Sequence, residues 1–562
     1  MRPVRPRLRR LAAALASLGA LLAWGCSVNR DQCKQDGDCV PILGVASAEL
    51  ASCTEGVCRP RDTSRPVALE APCDSTKDCT ADGGAPALCR SGNQTRRSCV
   101  SLLQGGISEV TPNYAIGDPL FIGVIASETV VTPNGTYDSF VDKTNDDGMR
   151  LAADDWLAAT SGAISAANER RPITALYCDS QASADRLNEC FDAMTVTLGA
   201  PVVVLHSDAD AMALLPKAIA RDVLLYCSDC ELANFRTVDT GGRLWFGFPS
   251  VVSTIPLRVK WIETLEATIR SEQARPTDPL KALVVTSIVQ PKTGAQLAEA
   301  IRLNGKSVAE NVAAGTIVHK VLDRGFAGDF QALAQAAIDM RADIVVVENL
   351  GRDFHLLLMP EIEANWPNGV PRPRYVPGGD EGYPSRFQRS VASNDELRRR
   401  VTGVSYWTND KNIDQNEIAY LQAFRSSTKF GYDPSGLSSG FESFYVLAYA
   451  LTSAVHIDTV DPHAVRGGDV IKGLKSLIAA PGSTLIDVRA SDIPRGVAAL
   501  STKQRIDLRG VISSLDWTDT GDLYTDAAGY CIKRDFNLKE FWIYDNTTKT
   551  TLGAPDFSGC QY

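Results

Sequence analysis

The sequence predicts an α/β protein: two doubly wound parallel-sheet lobes joined by a multi-strand hinge and preceded by a small disulfide-rich region. Three observations predict it. Short apolar, β-rich runs alternate with helix-length sequence from about residue 121 to 226, and the same construction recurs from about 282 to 377. A chain of 562 residues exceeds one hydrophobic core and divides into two to four domains. Nine of the 15 cysteines precede residue 100, in a stretch rich in Asp, Gly, Pro and Ser and poor in large apolar residues.

In the first lobe the strand-forming runs are 121–126, 173–178, 202–205 and 223–226. Helices are predicted between them. Within 149–159, Leu151, Ala152, Trp156 and Ala159 recur at helical spacing, and 184–196 and 209–220 carry the next two. A long crossover helix over 257–270, just past Pro256, opens the second lobe. Its strands are 282–286, 344–347 and 375–377, and its helices 294–303, 330–340 and 354–365. Past Gly403 the chain returns, with helices over 417–427 and 441–454 completing lobe one. The part from 509 to 544 is strand-rich, with a turn at Asp519-Thr520-Gly521-Asp522. The expected division is a signal peptide over 1–25, a disulfide-stapled spacer over 26–110 and a bilobal ligand-binding domain over 111–562. Lobe one takes about 118–252 and 408–480, lobe two about 253–407 and 505–562.

The first residues read as an address. Arg2, Arg5, Arg7, Arg9 and Arg10 precede an apolar run over 11–22, too short to span a membrane comfortably. The run ends at Ala23-Trp24-Gly25-Cys26, which resembles a bacterial lipoprotein signal with Cys26 as the lipidated mature N-terminus. The other reading is a plain secretory signal that leaves Cys26 a thiol. Either way the chain is exported, to the periplasm or the cell surface, and the lipid is its one expected membrane attachment. Losing the five arginines would take the net charge from −10 to −15, which disfavours nucleic acid as a partner.

Cysteine parity agrees with export. Besides Cys26 the cysteines fall into even local groups: Cys33, Cys39, Cys53 and Cys58; Cys73, Cys79, Cys89 and Cys99; Cys178 with Cys190; Cys227 with Cys230; Cys531 with Cys560. Disulfides explain this better than thiols do, and the connectivity within the fours stays open. The first two groups belong to a repeat, residues 31–39 against 71–79. Segments this short need cross-links to hold a shape, so a stapled spacer between anchor and main domain is expected.

Several short motifs then occur in a specific order: Ile122-Gly123-Val124-Ile125, Asp147-Gly148-Met149-Arg150-Leu151-Ala152-Ala153, Tyr375-Val376-Pro377-Gly378-Gly379-Asp380-Glu381-Gly382, Tyr432-Asp433-Pro434-Ser435-Gly436 and Gly510-Val511-Ile512. From about 118 to 544 the chain resembles type I periplasmic binding proteins of the leucine/isoleucine/valine-binding class. The resemblance implies two lobes that close on a small solute. By that resemblance Glu381 is the carboxylate that takes the ligand's amino group. Asp208 stands where the amino-acid binders place a serine for the ligand carboxylate, and Asp229 and Glu231 stand at the next contact loop.

In open α/β sheets, ligands sit outside the carboxyl ends of the strands. The residues at those points are strongly acidic: Ser127, Glu128, Asp179, Ser180, Ser207, Asp208, Asp210, Ser228, Asp229, Glu231, Glu348, Asp380 and Glu381. Asp and Ser there also serve as helix N-caps. As a set they favour a cationic or amine-bearing ligand, and a carboxylate facing Asp208 would be repelled. The expected binding residues are Ser127, Tyr137, Ser207, Asp208, Asp229, Glu231, Asp380 and Glu381, with Phe140 and Tyr445 as further candidate aromatic walls.

Signals for catalysis are weak. Gly436-Leu437-Ser438-Ser439-Gly440 matches G-x-S-x-G but follows a turn instead of a strand. Cys227-Ser228-Asp229-Cys230 has thiol-oxidoreductase spacing, against a structural disulfide at the cleft rim. The five histidines form no H-x-x-x-H pair, and His206 is the one near the C-x-x-C. No enzyme activity, metal or cofactor is expected. The expected function is an envelope lipoprotein that binds an amino acid, amine or related solute by hinge closure, for ABC-type uptake with a membrane permease or for sensing. The alternative on the same fold is a regulatory lipoprotein whose partner is another envelope protein.

Overall fold

The computed structural model describes residues 51–54, 57–60, 73, 79, 86–91, 97–132, 135–161, 163–166, 169–230, 239–287, 291–322, 327–348, 350, 353–378, 385–407, 411–434, 438–534, 538–545 and 550–553. They fall into two compact units, 1–69 and 70–562. In the first, Ala51–Thr54 pairs antiparallel with Val57–Pro60, setting Cys53 opposite Cys58.

The second unit begins with a stapled hairpin, Ala87–Ser91 against Arg97–Ser101, tied by Cys73–Cys89 and Cys79–Cys99. Both bonds stay within one four-cysteine group. This piece is not a free spacer. Leu88, Leu102 and Ile107 are buried in one core with Phe121, Ile125 and Leu176. The few large apolar residues of this segment cover a sheet face, so the lobe-one body starts well before residue 110.

Lobe one is a seven-stranded sheet. Its strands are β1 (Ile107–Val110), β2 (Leu120–Ala126), β3 (Glu169–Asp179), β4 (Val202–Leu205), β5 (Leu224–Cys227) and β6 (Leu244–Phe246), with Ala163–Ala166 paired to the start of β3. The order is β6-β5-β4-β2-β3-β1, parallel from β2 to β6, with β1 antiparallel at the edge. The five parallel strands thus stand second, first, third, fourth, fifth, a doubly wound order that reverses at β2. All seven residues of β2 are buried, which is why these strands read as continuous apolar runs without alternation.

Helices α1 (Phe140–Thr160), α2 (Ala184–Asp192) and α3 (Asp208–Arg221) connect the strands. Helix α1 starts nine residues earlier than the periodicity suggests, because Thr144, Asn145, Asp146 and Asp147 are buried polar residues. A second disulfide type staples this lobe: Cys178 on β3 joins Cys190 on α2, with Cα atoms 6.0 Å apart.

Helix α4 (Ile255–Glu272) leads into lobe two. Its strands β7 (Ala282–Ser287), β8 (Ile317–Leu322), β9 (Ile344–Glu348) and β10 (Arg374–Val376) lie parallel in the order β8-β7-β9-β10. The second, first, third, fourth order repeats that of lobe one. Strand β8 was not expected. At the sheet edge it is half exposed, so His319 and Lys320 interrupt its apolar run. Strand β11 (Thr402–Trp407) begins beside Tyr375 and pairs antiparallel with β12 (Asp526–Ile532), which continues into β13 (Leu538–Asp545) and β14 (Thr550–Leu552).

Helices α5 (Lys411–Ser426) and α6 (Ser439–Ala454) return to lobe one. Every residue of α6 is buried. Its Gly440 meets α1 so closely that a Cβ there would collide with the Asn145 backbone. One boundary needs correction. Residues 505–525, expected in lobe two, pack Ile506, Leu508, Val511, Leu515, Trp517 and Leu523 into the lobe-one core. Their apolar side meets Trp245 and Tyr226, and the Gly521 turn, at φ +89°, closes against the Trp245 ring. Among the described residues the chain therefore passes between lobes three times, from Phe246 to Ile255, from Trp407 to Lys411 and from Tyr524 to Asp526. Trp407 and Asp526 are direct partners in the β11–β12 pair.

Candidate functional site

The reversal of strand order at β2 opens a crevice outside the carboxyl ends of β2, β3, β4 and β5. Four of the expected residues, Ser127, Ser207, Asp208 and Asp229, follow those strand ends. Ser127 follows β2, and its Oγ lies 2.8 Å from Ser180 Oγ, past the end of β3. Asp179 is spent locally: its Oδ1 accepts from the Gln181 amide at 2.9 Å. Ser207 is the N-cap of α3, its Oγ accepting from the Asp210 amide at 3.4 Å, and Asp208 is the first residue of that helix. Asp229 lies in the four-residue loop closed by the Cys227–Cys230 disulfide, whose Cα atoms are 5.5 Å apart. Both cysteines are buried, which favours a structural staple.

Sequence reasoning gave His206 no role, yet it organises this wall. Its ring is buried between two elements. Nε2 lies 2.7 Å from Asp146 Oδ1 on α1, and Nδ1 is hydrogen-bonded to Ser228 Oγ. Ser228 Oγ also donates to the Leu205 carbonyl at 3.2 Å. Serine, histidine and aspartate in this order have the connectivity of a hydrolase triad. Ser228 is wholly buried, however, so no substrate reaches its Oγ. With both ring nitrogens taken, His206 offers nothing to a metal. Among the described residues, the group at metal-ligand spacing is Cys73, Cys79 and Cys99, which are disulfide-bonded.

Arg150 anchors the other side. It donates to Glu128 Oε1 at 3.1 Å, Asp147 Oδ1 at 2.8 Å and Glu109 Oε2 at 2.9 Å, and stacks 4.6 Å over the Tyr177 ring. Asp147 in turn accepts from Tyr432 OH at 2.8 Å, and Tyr432 meets the exposed Phe140 ring edge-on at 5.5 Å. Phe140 therefore stays on the surface. Tyr445 does not: it is core, donating to Asp155 Oδ2 at 2.8 Å.

One arginine does not neutralise this wall. Burial pushes the Glu128 carboxyl up to about 7, with Asp146 adding to the shift and Arg150 opposing it. Burial likewise raises Asp142 and Asp146 to about 6 each, and lifts Asp210 above its ordinary value. It pushes His206 down, against the pull of Asp142, Asp229, Glu128 and Asp210. The crevice is acidic, and part of its charge is held back as bound protons.

On the lobe-two side, Glu348 ends β9 but is not a ligand group. It forms a buried ion pair with Arg258 of α4. Tyr137 stands opposite Val130 in the hairpin of Thr129–Thr132 with Gly135–Asp138 that follows β2. Glu231, Asp380, Glu381, Cys26 and Cys560 lie outside the described residues. Cys531 is buried and disulfide-bonded. Ser438 of the G-x-S-x-G match is a buried residue at the N-cap of α6.

No protein-family model matches the chain, and no curated protein sequence matches it. Among solved structures, the solute-binding protein of an ABC transporter from Rhodopseudomonas palustris BisB5, in complex with 3,4-dihydroxybenzoic acid, aligns with a TM-score of 0.50 at 13% identity. The alignment covers 76% of this chain and 98% of that one. The fold is that of type I periplasmic binding proteins. The branched-chain amino acid substrate-binding protein LivJ of Streptococcus pneumoniae, in complex with isoleucine, shows 14% identity and a TM-score of 0.49 over 75% of this chain and 98% of that chain. The leucine-binding protein LivK of Thermotoga maritima shows 11% and 0.48 over 76% and 99%. At these identities the likeness is one of fold.

Proposed function

We propose that this chain is a lipid-anchored solute-binding protein of the cell envelope that captures a small cationic or amine-bearing molecule between its lobes. The observation that carries the reading is the acidic wall at the point where strand order reverses in a two-lobed type I fold. Solved neighbours of this fold are in complex with isoleucine and with 3,4-dihydroxybenzoic acid, both of which bear a carboxylate. Here Asp208 and Asp229 stand at the strand ends, and unit charges of like sign about 4 Å apart repel by about 4 kcal/mol at an effective dielectric of 20. That disfavours a ligand carboxylate on lobe one and favours an ammonium.

Capture would work by hinge closure. A ligand shifts an open–closed equilibrium only by its differential contacts in the closed state. Three crossings allow the lobes to rotate as bodies. Ser127, Ser207, Asp208 and Asp229 would supply the lobe-one contacts, with Tyr137 beside them. The sequence resemblance would add Glu231, Asp380 and Glu381 to the binding residues. Residues 1–25 would direct export, Cys26 would carry the lipid and the first cysteine group would space the body from the membrane. Delivery to an ABC permease is the purpose such an arrangement serves. Thermal-shift screening of the purified protein with amino acids, polyamines, amides and aromatic acids tests the reading. Stabilisation by amine-bearing solutes is the expected result. A uniformly flat screen contradicts it and favours the protein-binding regulator.

A further inference from the structure

We propose that His206 is the positioning residue of the lobe-one wall, relaying one exchangeable proton with Asp146 and Ser228 so that the wall gains a negative charge while both ring nitrogens keep a hydrogen-bond partner. The proposal rests on the solute-binding reading for its purpose and on the geometry of three side chains for its mechanism.

The relay has two complete states. Ser228 Oγ has one hydrogen and two possible acceptors, the Leu205 carbonyl at 3.2 Å and His206 Nδ1. When the hydroxyl donates to Leu205, Oγ accepts from Nδ1–H. Nε2 is then bare and must accept, which requires the proton on Asp146. The chain is neutral. When Asp146 gives up its proton, the carboxylate accepts from Nε2–H. Nδ1 is then bare, and the Ser228 hydroxyl turns to donate to it. The chain now carries one negative charge, and each ring nitrogen still has a partner. One proton leaves to solvent and the imidazole changes tautomer, with no ring flip and no imidazolium. Buried polar chains persist only when every member is satisfied, and both states meet that condition.

The surroundings set the balance. Facing the relay are Asp142 and Asp147 with Arg150 from α1, Glu128 after β2, Glu109 and Tyr177 from the sheet, Asp210 from α3 and Asp229 after β5. The carboxyls outnumber the single guanidinium, so in the empty cleft they favour the neutral state. Burial acts the same way, holding Asp146 protonated to about pH 6 and His206 uncharged. A cation arriving beside Asp208 and Asp229 reverses the preference. Capture then expels a proton, and affinity for the cation rises with pH across the transition.

Long-range proton–nitrogen correlation NMR on the full-length chain carrying ¹⁵N-histidine tests the relay without a ligand. The His206 signal, assigned by its loss in H206Q, is expected to pass from the Nδ1–H to the Nε2–H tautomer between about pH 5 and pH 8 while staying neutral. In D146N, whose amide donates to Nε2 at every pH, the Nδ1–H form should persist throughout. An unchanged tautomer in the wild type, or an imidazolium at pH 5, overturns the proposal. Calorimetry with spermidine in two buffers of different ionisation heat then counts the protons released. D146N should release about one fewer than the wild type. Equal release overturns the coupling. Absence of spermidine binding at every pH contradicts the amine-binding reading instead, and the tautomer result still decides the relay.

Discussion

Arg258 of α4 and Glu348 at the end of β9 form an ion pair in which both side chains are buried. Arg258 also donates to the carbonyls of Val347 and Val376, so one guanidinium ties α4 to the ends of two lobe-two strands. The position of Glu348 is that of a ligand group, and its partner makes it a structural one. Removing one member strands the other as an uncompensated buried charge. E348Q should therefore cost about 3–5 kcal/mol in urea unfolding. It should leave the affinity of any cleft ligand within a factor of about two. A loss under about 1 kcal/mol would show that the pair is open to water.

Close approach of α6 and α1 depends on Gly440. A Cβ there would press on the Asn145 backbone, and Asn145 Oδ1 accepts from both Ser439 Oγ at 2.8 Å and the Gly440 amide at 3.2 Å. G440A should cost about 1–3 kcal/mol by overpacking. Circular dichroism melts of the variant beside the wild type check this, and an unchanged midpoint would contradict the contact.

Stability should fall as pH rises from about 4 to 8. Burial holds Asp146 at about 6 and Glu442 at about 8, the latter although its Oε2 accepts from the Val511 and Ile512 amides. A carboxyl whose folded pKa lies above its unfolded value keeps a proton the unfolded chain releases. Its contribution is nil below the unfolded value and weakens the fold until the folded value is passed. These shifts correspond to on the order of 3 kcal/mol for Asp146 and about 5 kcal/mol for Glu442. His206, lowered by burial, acts oppositely and costs stability only below its ordinary value of 6.5. Urea midpoints across pH 4–8 should decline more shallowly in E442Q than in the wild type. Parallel curves would contradict the burial of that charge.

How much of this was legible depended on how each element is buried. Strands β2, β4 and β5 are covered on both faces, so their residues form uninterrupted apolar runs that sequence reading places within a residue or two. Edge strand β8 has the half-buried His319 and the exposed Lys320 at its middle and carries no such run. The acidity of the cleft was readable because strand ends follow from strands. The Asp146–His206–Ser228 chain was not, since its members lie 60 and 22 residues apart and meet only through sheet order. Lobe assignment after residue 505 failed for a similar reason. Trp517 and Leu523 read as strand, but nothing local says that the Trp245 side of lobe one is where they pack.

Asp229 and Asp208, both half exposed after strand ends, should matter more for binding than for folding. D229N and D208N should each weaken an amine ligand about tenfold, as one lost charge contact of about 1.4 kcal/mol implies, with melting temperatures of the empty protein changed little. Titration calorimetry on the two variants measures this. Undiminished affinity would move the ligand off lobe one.

The central claim is that a solute is held between two lobes by closure about three crossings. Small-angle X-ray scattering of the full chain, recorded with and without the solute that gives the largest thermal shift, tests it most directly. A smaller radius of gyration in the saturated protein is the predicted result. An unchanged radius with the ligand demonstrably bound would contradict it.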